Sequence, residues 1–246
     1  MIPPWLPRLF GLFFLASHGL AAQEALDTNR PNQPRIAVDV GHTRSDGGAL
    51  SARNRPEFEF NLTLAQQVAA ALRTQQLEVR EINFDGSIPS LGARTEQAAG
   101  SDLFVSIHHD AINEAFLLPW VWNGVAASYS EEKRGYGLFI SPRNPDYARS
   151  HRCALAMGGR LRRAGFTPTP WHQRKHQPVD ADLGVWQHRD NLVVLYRTTL
   201  PAILVEAGVI KHREEELELL DPQRQARMAE ALAAGIADCL SPLSGE

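Results

Sequence analysis

The stretch that decides the fold is "SDLFVSIHHDA", residues 101–111. Leu103 to Ile107 form a short, mostly apolar run, which reads as a buried strand. The run stops at His108, His109 and Asp110. An imidazole at the end of a buried strand is costly unless something there uses it. If the strand continues through both histidines, their side chains point to opposite faces of the sheet. The two are then expected to serve different roles.

Upstream, "SLGARTEQAA" (90–99) reads as a short amphipathic helix and "LEVREINF" (77–84) as an alternating strand. Leu62, Ala65, Val68, Ala69 and Leu72 recur at helical spacing up to about Arg73. Before that helix lies the loop "TRSDGGALSARNRPE", and before the loop "RIAVDVGH" (35–42), a β-branched run ending in a glycine and His42. Downstream, "GYGLFIS" (135–141), "NLVVLY" (191–196) and "AILVE" (202–206) read as strands. Asp146 to Ala164 is helical, with Ala148, Cys153, Met157 and Leu161 inward, and "PQRQARMAEALAAGIADCL" (222–240) is a final helix with Pro222 in its first turn. Residues 113–134 and 167–190 read as long irregular segments: lids, substrate-contacting loops or disordered chain. Strands alternating with helices imply an α/β domain with a largely parallel sheet covered on both faces.

The 246 residues are 43% hydrophobic and 22% charged, an ordinary balance for one sizeable core. A net charge of -3 and the lack of a long basic run argue against a nucleic-acid partner. Residues 1–22 read as a signal peptide: Arg8, then the apolar Leu9 to Leu15, then Ala21 and Ala22 near a cleavage point. An uncleaved anchor is the competing reading, but the run falls short of the ~20 residues a span needs. Residues 23–34 are a polar, proline-bearing leader, and 35–242 the domain. Export, to the periplasm, is the expectation. Cys153 and Cys239 are either a bridge or two separate buried thiols; spacing alone does not decide.

In parallel α/β sheets, ligands collect at the C-terminal ends of strands. His42, His108 and Glu206 each stand at such an end, and Glu57 opens the first long helix after Pro56. Two imidazoles and a carboxylate are what a catalytic zinc takes, with a fourth position open. A free carboxylate beside that position can move protons. On residue type alone, Glu57 or Glu206 could be either the ligand or the proton carrier.

The ordered segments "IAVDVGHTRSDGG", "PEFEFNLTLAQQVAAAL", "LGARTEQAAGSDLFVSIHHDA" and "PAILVEAGVI" resemble the zinc-dependent N-acetylmuramoyl-L-alanine amidases, the group typified by bacterial cell-separation amidases. The resemblance runs over about 35–240. It implies a mixed, mainly parallel sheet of about six strands flanked by helices. It also implies one zinc per chain on His42, Glu57 and His108, with Glu206 as general base and acid. Arg94 matches a family arginine whose implied role is structural. The implied reaction hydrolyses the amide between N-acetylmuramic acid and the L-alanine of the stem peptide, with murein or its fragments as partner. Some family members await a protein activator that displaces a blocking segment; residues 113–134 are the candidate lid here. A monomer is expected.

The chain departs from the family pattern at Thr43, at His109 and Asp110, and at the "VIKHREEE" that follows "EAG". These positions spare all four key residues, so the departures bear on specificity. His109 and Asp110 are read as support for the site or substrate contacts. His172 and His176 lie four apart among Pro168, Pro170 and Pro178, so a helix aligning them on a metal is disfavoured and a substrate-touching or solvated loop expected. Trp120, Trp122, Trp171 and Trp186 either stack on sugars or anchor their segments. The competing functions are a non-catalytic murein-binding or regulatory module and another zinc peptidase. A two-metal peptidase would need more strand-end acids than Asp39 and Asp110.

Overall fold

The computed structural model describes residues 33–174, 176–188 and 192–241. The signal reading over 1–22 and most of the leader reading over 23–34 lie outside them.

In chain order the elements are β1 (Arg35–Val40), α1 (Glu57–Thr74), β2 (Glu78–Ile82), α2 (Leu91–Gln97), β3 (Leu103–Asp110), β4 (Leu118–Trp122), β5 (Val125–Tyr129), β6 (Gly137–Ile140), α3 (Tyr147–Arg163), β7 (Gln177–Asp180), β8 (Val185–Gln187), α4 (Val193–Arg197), β9 (Ala202–Val209), α5 (Glu215–Leu219) and α6 (Pro222–Leu240). Seven strands form one sheet in the order β2-β1-β3-β9-β6-β8-β7. The strands β2, β1, β3 and β9 are mutually parallel; β6 runs antiparallel to β9, and β7 to β8. Strands β4 and β5 form a separate antiparallel hairpin.

Alternation along the strands builds two unequal layers. Ile36, Val38, Leu103, Val105, Ile107, Ile203 and Val205 are buried in one core with residues of α1, α3 and α6. Ala37, Phe104, Ala202 and Leu204 point the other way, into a smaller core shared with α4. Three helices start where side chains satisfy free backbone N–H groups. Ser90 accepts from Ala93 at α2, Asp146 from Arg149 at α3, and Asp221 from Gln223 at α6. Helices α3 and α6 approach closely at Gly235, where a Cβ would stand 2.5 Å from the Met157 Cα. There Cys153 and Cys239 form a disulfide with Cα atoms 4.9 Å apart, which settles the open choice.

Three sequence expectations are corrected. Residues 193–196 of "NLVVLY" fall in helix α4 instead of a strand. Both neighbours of β9 are already taken, by β3 and β6, so no edge is open beside it. A short apolar run carries no period strong enough to tell helix from strand. Segment 167–190, read as irregular, contributes β7 and β8, which brings the mixed, mainly parallel sheet to seven strands. Segment 113–134 is largely the β4–β5 hairpin, turned at Asn123 and Gly124, both with positive φ.

Candidate metal centre

His42 follows β1 through Gly41 and adopts a left-handed backbone, φ 63°. Such a conformation in a non-glycine residue costs about 1–3 kcal/mol and needs outside support. The His42 carbonyl accepts from Asn83 Nδ2 at 2.6 Å and from Arg94 Nη2 at 2.7 Å. Arg94 also donates to the Val40 carbonyl and to Asp39 Oδ1, at 2.5 and 2.6 Å. Asp39 Oδ2 accepts from Ser106 at 2.7 Å. A buried polar chain from β3 through β1 to α2 thus fixes the turn that presents His42. Arg94 thus braces the backbone on both sides of Gly41.

Glu57 is the first residue of α1, and its carboxylate gathers both rings. Oε2 lies 3.1 Å from His42 Nε2, and Oε1 lies 3.1 Å from His108 Nδ1. Asn61, one turn along α1, donates to Oε1 at 3.1 Å, and the His109 backbone N–H donates to it at 3.3 Å. Burial pushes the Glu57 carboxyl up, but the hydrogen bonds from His108 and His42 outweigh it and hold the group well below the usual carboxylate range. Burial likewise lowers His42, yet Glu57 outweighs it and leaves His42 above the ordinary imidazole value.

One ligand atom from each of these residues lies within 4.8 Å of the others. Two ring nitrogens and a carboxylate oxygen, ionised and converging, fit a tetrahedral divalent ion with one position open. Bare backbone makes the room: a Cβ on Gly48, which has φ +73°, would stand 2.6 Å from the His42 ring.

Glu206 extends the row. It pairs in register with His108 across β3 and β9, and in-register neighbours share a face. Its Oε2 is buried and has no hydrogen-bond partner among the described residues. Burial, then the charges of Asp110 and Glu57, raise its pKa well above the usual value. A buried carboxyl with a raised pKa beside a metal-type donor set is equipped to take up and give a proton.

His109 points away from this row. It packs on Phe60 and its Nδ1 meets Asn61 Oδ1 at 2.8 Å. Burial pulls its pKa down to about 3, so the ring is neutral. Asp110 turns inward beyond a register shift at the end of β3 and pairs with Lys133 at 2.6 Å. Burial raises its carboxyl despite that lysine.

Two cavities flank the row. The larger, about 520 Å³, is lined by His42, His108, Arg94, Asp46, Ser87 and Leu192 among others. The smaller, about 190 Å³, is lined by Glu206, Asp110, Lys133, His172, His176 and His188 among others. Hairpin residues Leu118–Tyr129 line neither, whereas Asn113 and Lys133, near the two ends of segment 113–134, line the smaller one. The hairpin is instead tied to the loop before Glu57: Trp120 donates to the Ala52 carbonyl at 2.8 Å, and Arg53 lies over Trp120 and Trp122.

His172 is no solvated loop residue. It is buried in a 3-10 turn (Pro170–Arg174), edge-on to Phe139. Neither it nor His176 joins the His42–Glu57–His108 cluster. Trp120 and Trp186 are anchors, Trp186 fully buried, while Trp171 lines the smaller cavity. Sequence reading missed Asn83, Lys133 and His188. Asn83 alone carries a signal, an asparagine in the turn "NFDG" that ends a strand.

A family model described as N-acetylmuramoyl-L-alanine amidase matches residues 36–238. The chain is 25% identical to N-acetylmuramoyl-L-alanine amidase AmiA of Salmonella typhimurium, covering 89% of this chain and 84% of AmiA. It is 23% identical to "Probable cell wall amidase LytH" of Staphylococcus epidermidis, covering 88% of this chain but only 62% of LytH. Among solved structures, the catalytic domain of CwlV, an N-acetylmuramoyl-L-alanine amidase from Bacillus (Paenibacillus) polymyxa var. colistinus, superposes with a TM-score of 0.64 at 26% identity, covering 84% of this chain and 97% of that domain.

Proposed function

Since the chain belongs to the N-acetylmuramoyl-L-alanine amidase family, we propose that it hydrolyses the amide joining the lactyl group of N-acetylmuramic acid to the L-alanine of the stem peptide. His42, Glu57 and His108 would hold one zinc ion. Bound there, zinc supplies the positive charge that polarises the amide carbonyl and acidifies water. The protein's own residues do the rest. Asn83 and Arg94 hold His42 in its strained turn, and Asn61, braced by His109, orients the Glu57 carboxylate. Glu206 takes the proton of the attacking water and delivers it to the departing amine, so a free amino group leaves and a carboxylate remains.

The observation that carries the reading is the convergence of His42, Glu57 and His108 within 4.8 Å, with Glu206 next in register to His108. The test incubates purified protein with murein, with and without a chelator, and weighs the released products. Free stem peptides that disappear with chelator and with Glu206→Ala support it. Intact murein under every condition overturns it.

The cellular role proposed is cell-wall remodelling, daughter-cell separation or murein recycling, outside the cytoplasm. The Cys153–Cys239 disulfide supports an oxidising compartment. Among the described residues no helix is long and apolar enough to cross a membrane. An activator acting through residues 113–134 belongs to the same proposal, supported by Asn113 and Lys133 of that segment lining the smaller cavity.

A further inference from the structure

The row of residues continues past Glu206. Gly137 of β6 pairs with Glu206 on the side away from His108. A Cβ on Gly137 would stand 2.8 Å from His172 Nε2, so His172 occupies the space a side chain would take. Two residues on, Phe139 is surrounded by three imidazoles. His172, His176 and His188 lie 4.7, 5.1 and 6.0 Å from it between ring centroids, all edge-on. These rings, with Trp171 and Lys133, wall the smaller cavity. Glu206 lines that cavity and not the larger one, where His42 and His108 stand; Leu192 lines both.

Resting on the reaction proposed above, we infer that the smaller cavity is the stem-peptide subsite, with His176 and His188 recognising the peptide's oxygens, and that the larger cavity takes the muramoyl side of the scissile amide. The argument is one of proton delivery. The group that protonates a leaving amine must come within hydrogen-bond reach of its nitrogen. Glu206 does this, so the nitrogen and the alanyl residue it carries lie on the Glu206 side of the row. The carbonyl then lies toward His42 and His108, and its lactyl and sugar groups extend into the larger cavity. Wall chemistry agrees on both sides. Imidazole N–H groups donate to peptide carbonyl and carboxylate oxygens. Ser45, Asp46, Ser87 and Ser90 at the larger cavity offer partners for sugar hydroxyls.

The test uses the zinc-loaded protein with two substrates, N-acetylmuramoyl-L-alanine and N-acetylmuramoyl-tripeptide. His176→Ala and His188→Gln, at partly exposed positions, are compared with Val193→Trp, which narrows the larger cavity. Both histidine variants are expected to raise KM for the tripeptide substrate about tenfold, the loss of one or two hydrogen bonds, and to raise it less for the alanine substrate. Calorimetry with free tripeptide should show the same weakening, and with free N-acetylmuramic acid none. Val193→Trp should weaken muramic acid binding and spare the tripeptide. Equal losses on both substrates, or tripeptide binding weakened by Val193→Trp alone, overturn the assignment while the reaction stands. A wild-type protein that cleaves neither substrate removes the reaction and the assignment together.

Discussion

Gly41 lies so close to the His108 ring that a Cβ there would stand 2.3 Å from its Cε1. The backbone of β1 is therefore the floor on which a ligand from β3 rests. Gly41→Ala should push the ring off Glu57 while the sheet stays intact. We expect metal per chain, read by atomic emission after dialysis, to fall severalfold with unchanged circular dichroism. Wild-type metal content in this variant would show that the ring tolerates the displacement.

The opposite facing of His108 and His109 separates their substitutions. His108→Ala should abolish metal retention and hydrolysis. His109→Ala removes only the brace on Asn61, and loss of such outer partners costs about 10–100-fold in affinity or activity. Equal losses from the two variants would refute this division of roles.

His109 should also mark acid sensitivity. Its ring is neutral when folded, with a pKa near 3, whereas the unfolded chain takes up a proton below about pH 6.5. Between those values the unfolded state binds more protons, so stability is lost as pH falls. The contribution reaches about 5 kcal/mol at the acid end. Denaturant midpoints of wild type and His109→Gln measured from pH 7 to 4 should converge toward acid; parallel curves would count against a buried neutral ring.

Glu206 shifts in the opposite sense. Burial raises its carboxyl in the folded state, while the unfolded chain releases its proton above about 4.5. Metal-free protein should thus lose stability from this group as pH rises through that region. Glu206→Gln should melt higher than wild type, by a margin that grows from pH 5 to 7. With zinc restored it should hold the ion yet lose about 10²–10⁴-fold in kcat. A variant that turns over at the wild-type rate would remove Glu206 from the reaction.

The disulfide closes a span of 86 residues, for which chain-entropy arguments give about 4 kcal/mol. The double variant Cys153→Ala/Cys239→Ala should unfold at markedly lower denaturant with its hydrolytic rate kept, since both cysteines lie in the core on the face away from Glu206. Unaltered stability would mean that the unfolded chain gains little freedom from the cut.

The positions of His42, His108 and Glu206 were legible because each follows a β-branched run; β3 and β9 continue past the last two, to Asp110 and Val209. What the pattern could not supply was company. Lys133 meets Asp110 and His188 meets Phe139 across segments with no period, and only the folded register brings them together. The hairpin was readable in part, since "NG" at 123–124 is the residue pair such turns demand; the alternation beside it, interrupted by Pro119, is weak. Helix α4 was not readable, because its fate depends on whether β9 has a free neighbour. The cysteine pairing likewise needed the close approach at Gly235.

The two helical layers differ in build. Helices α1, α3 and α6 have 18, 17 and 19 residues, and a covalent tie joins the last two. On the face that carries Glu206, α2 and α4 have only 7 and 5. The molecule is thus a stiff back plate with a light front. The light front borders the larger cavity, through Leu91 and Arg94 of α2 and Val193 and Val194 of α4, while the plate backs β1, β3 and β9 from the other side.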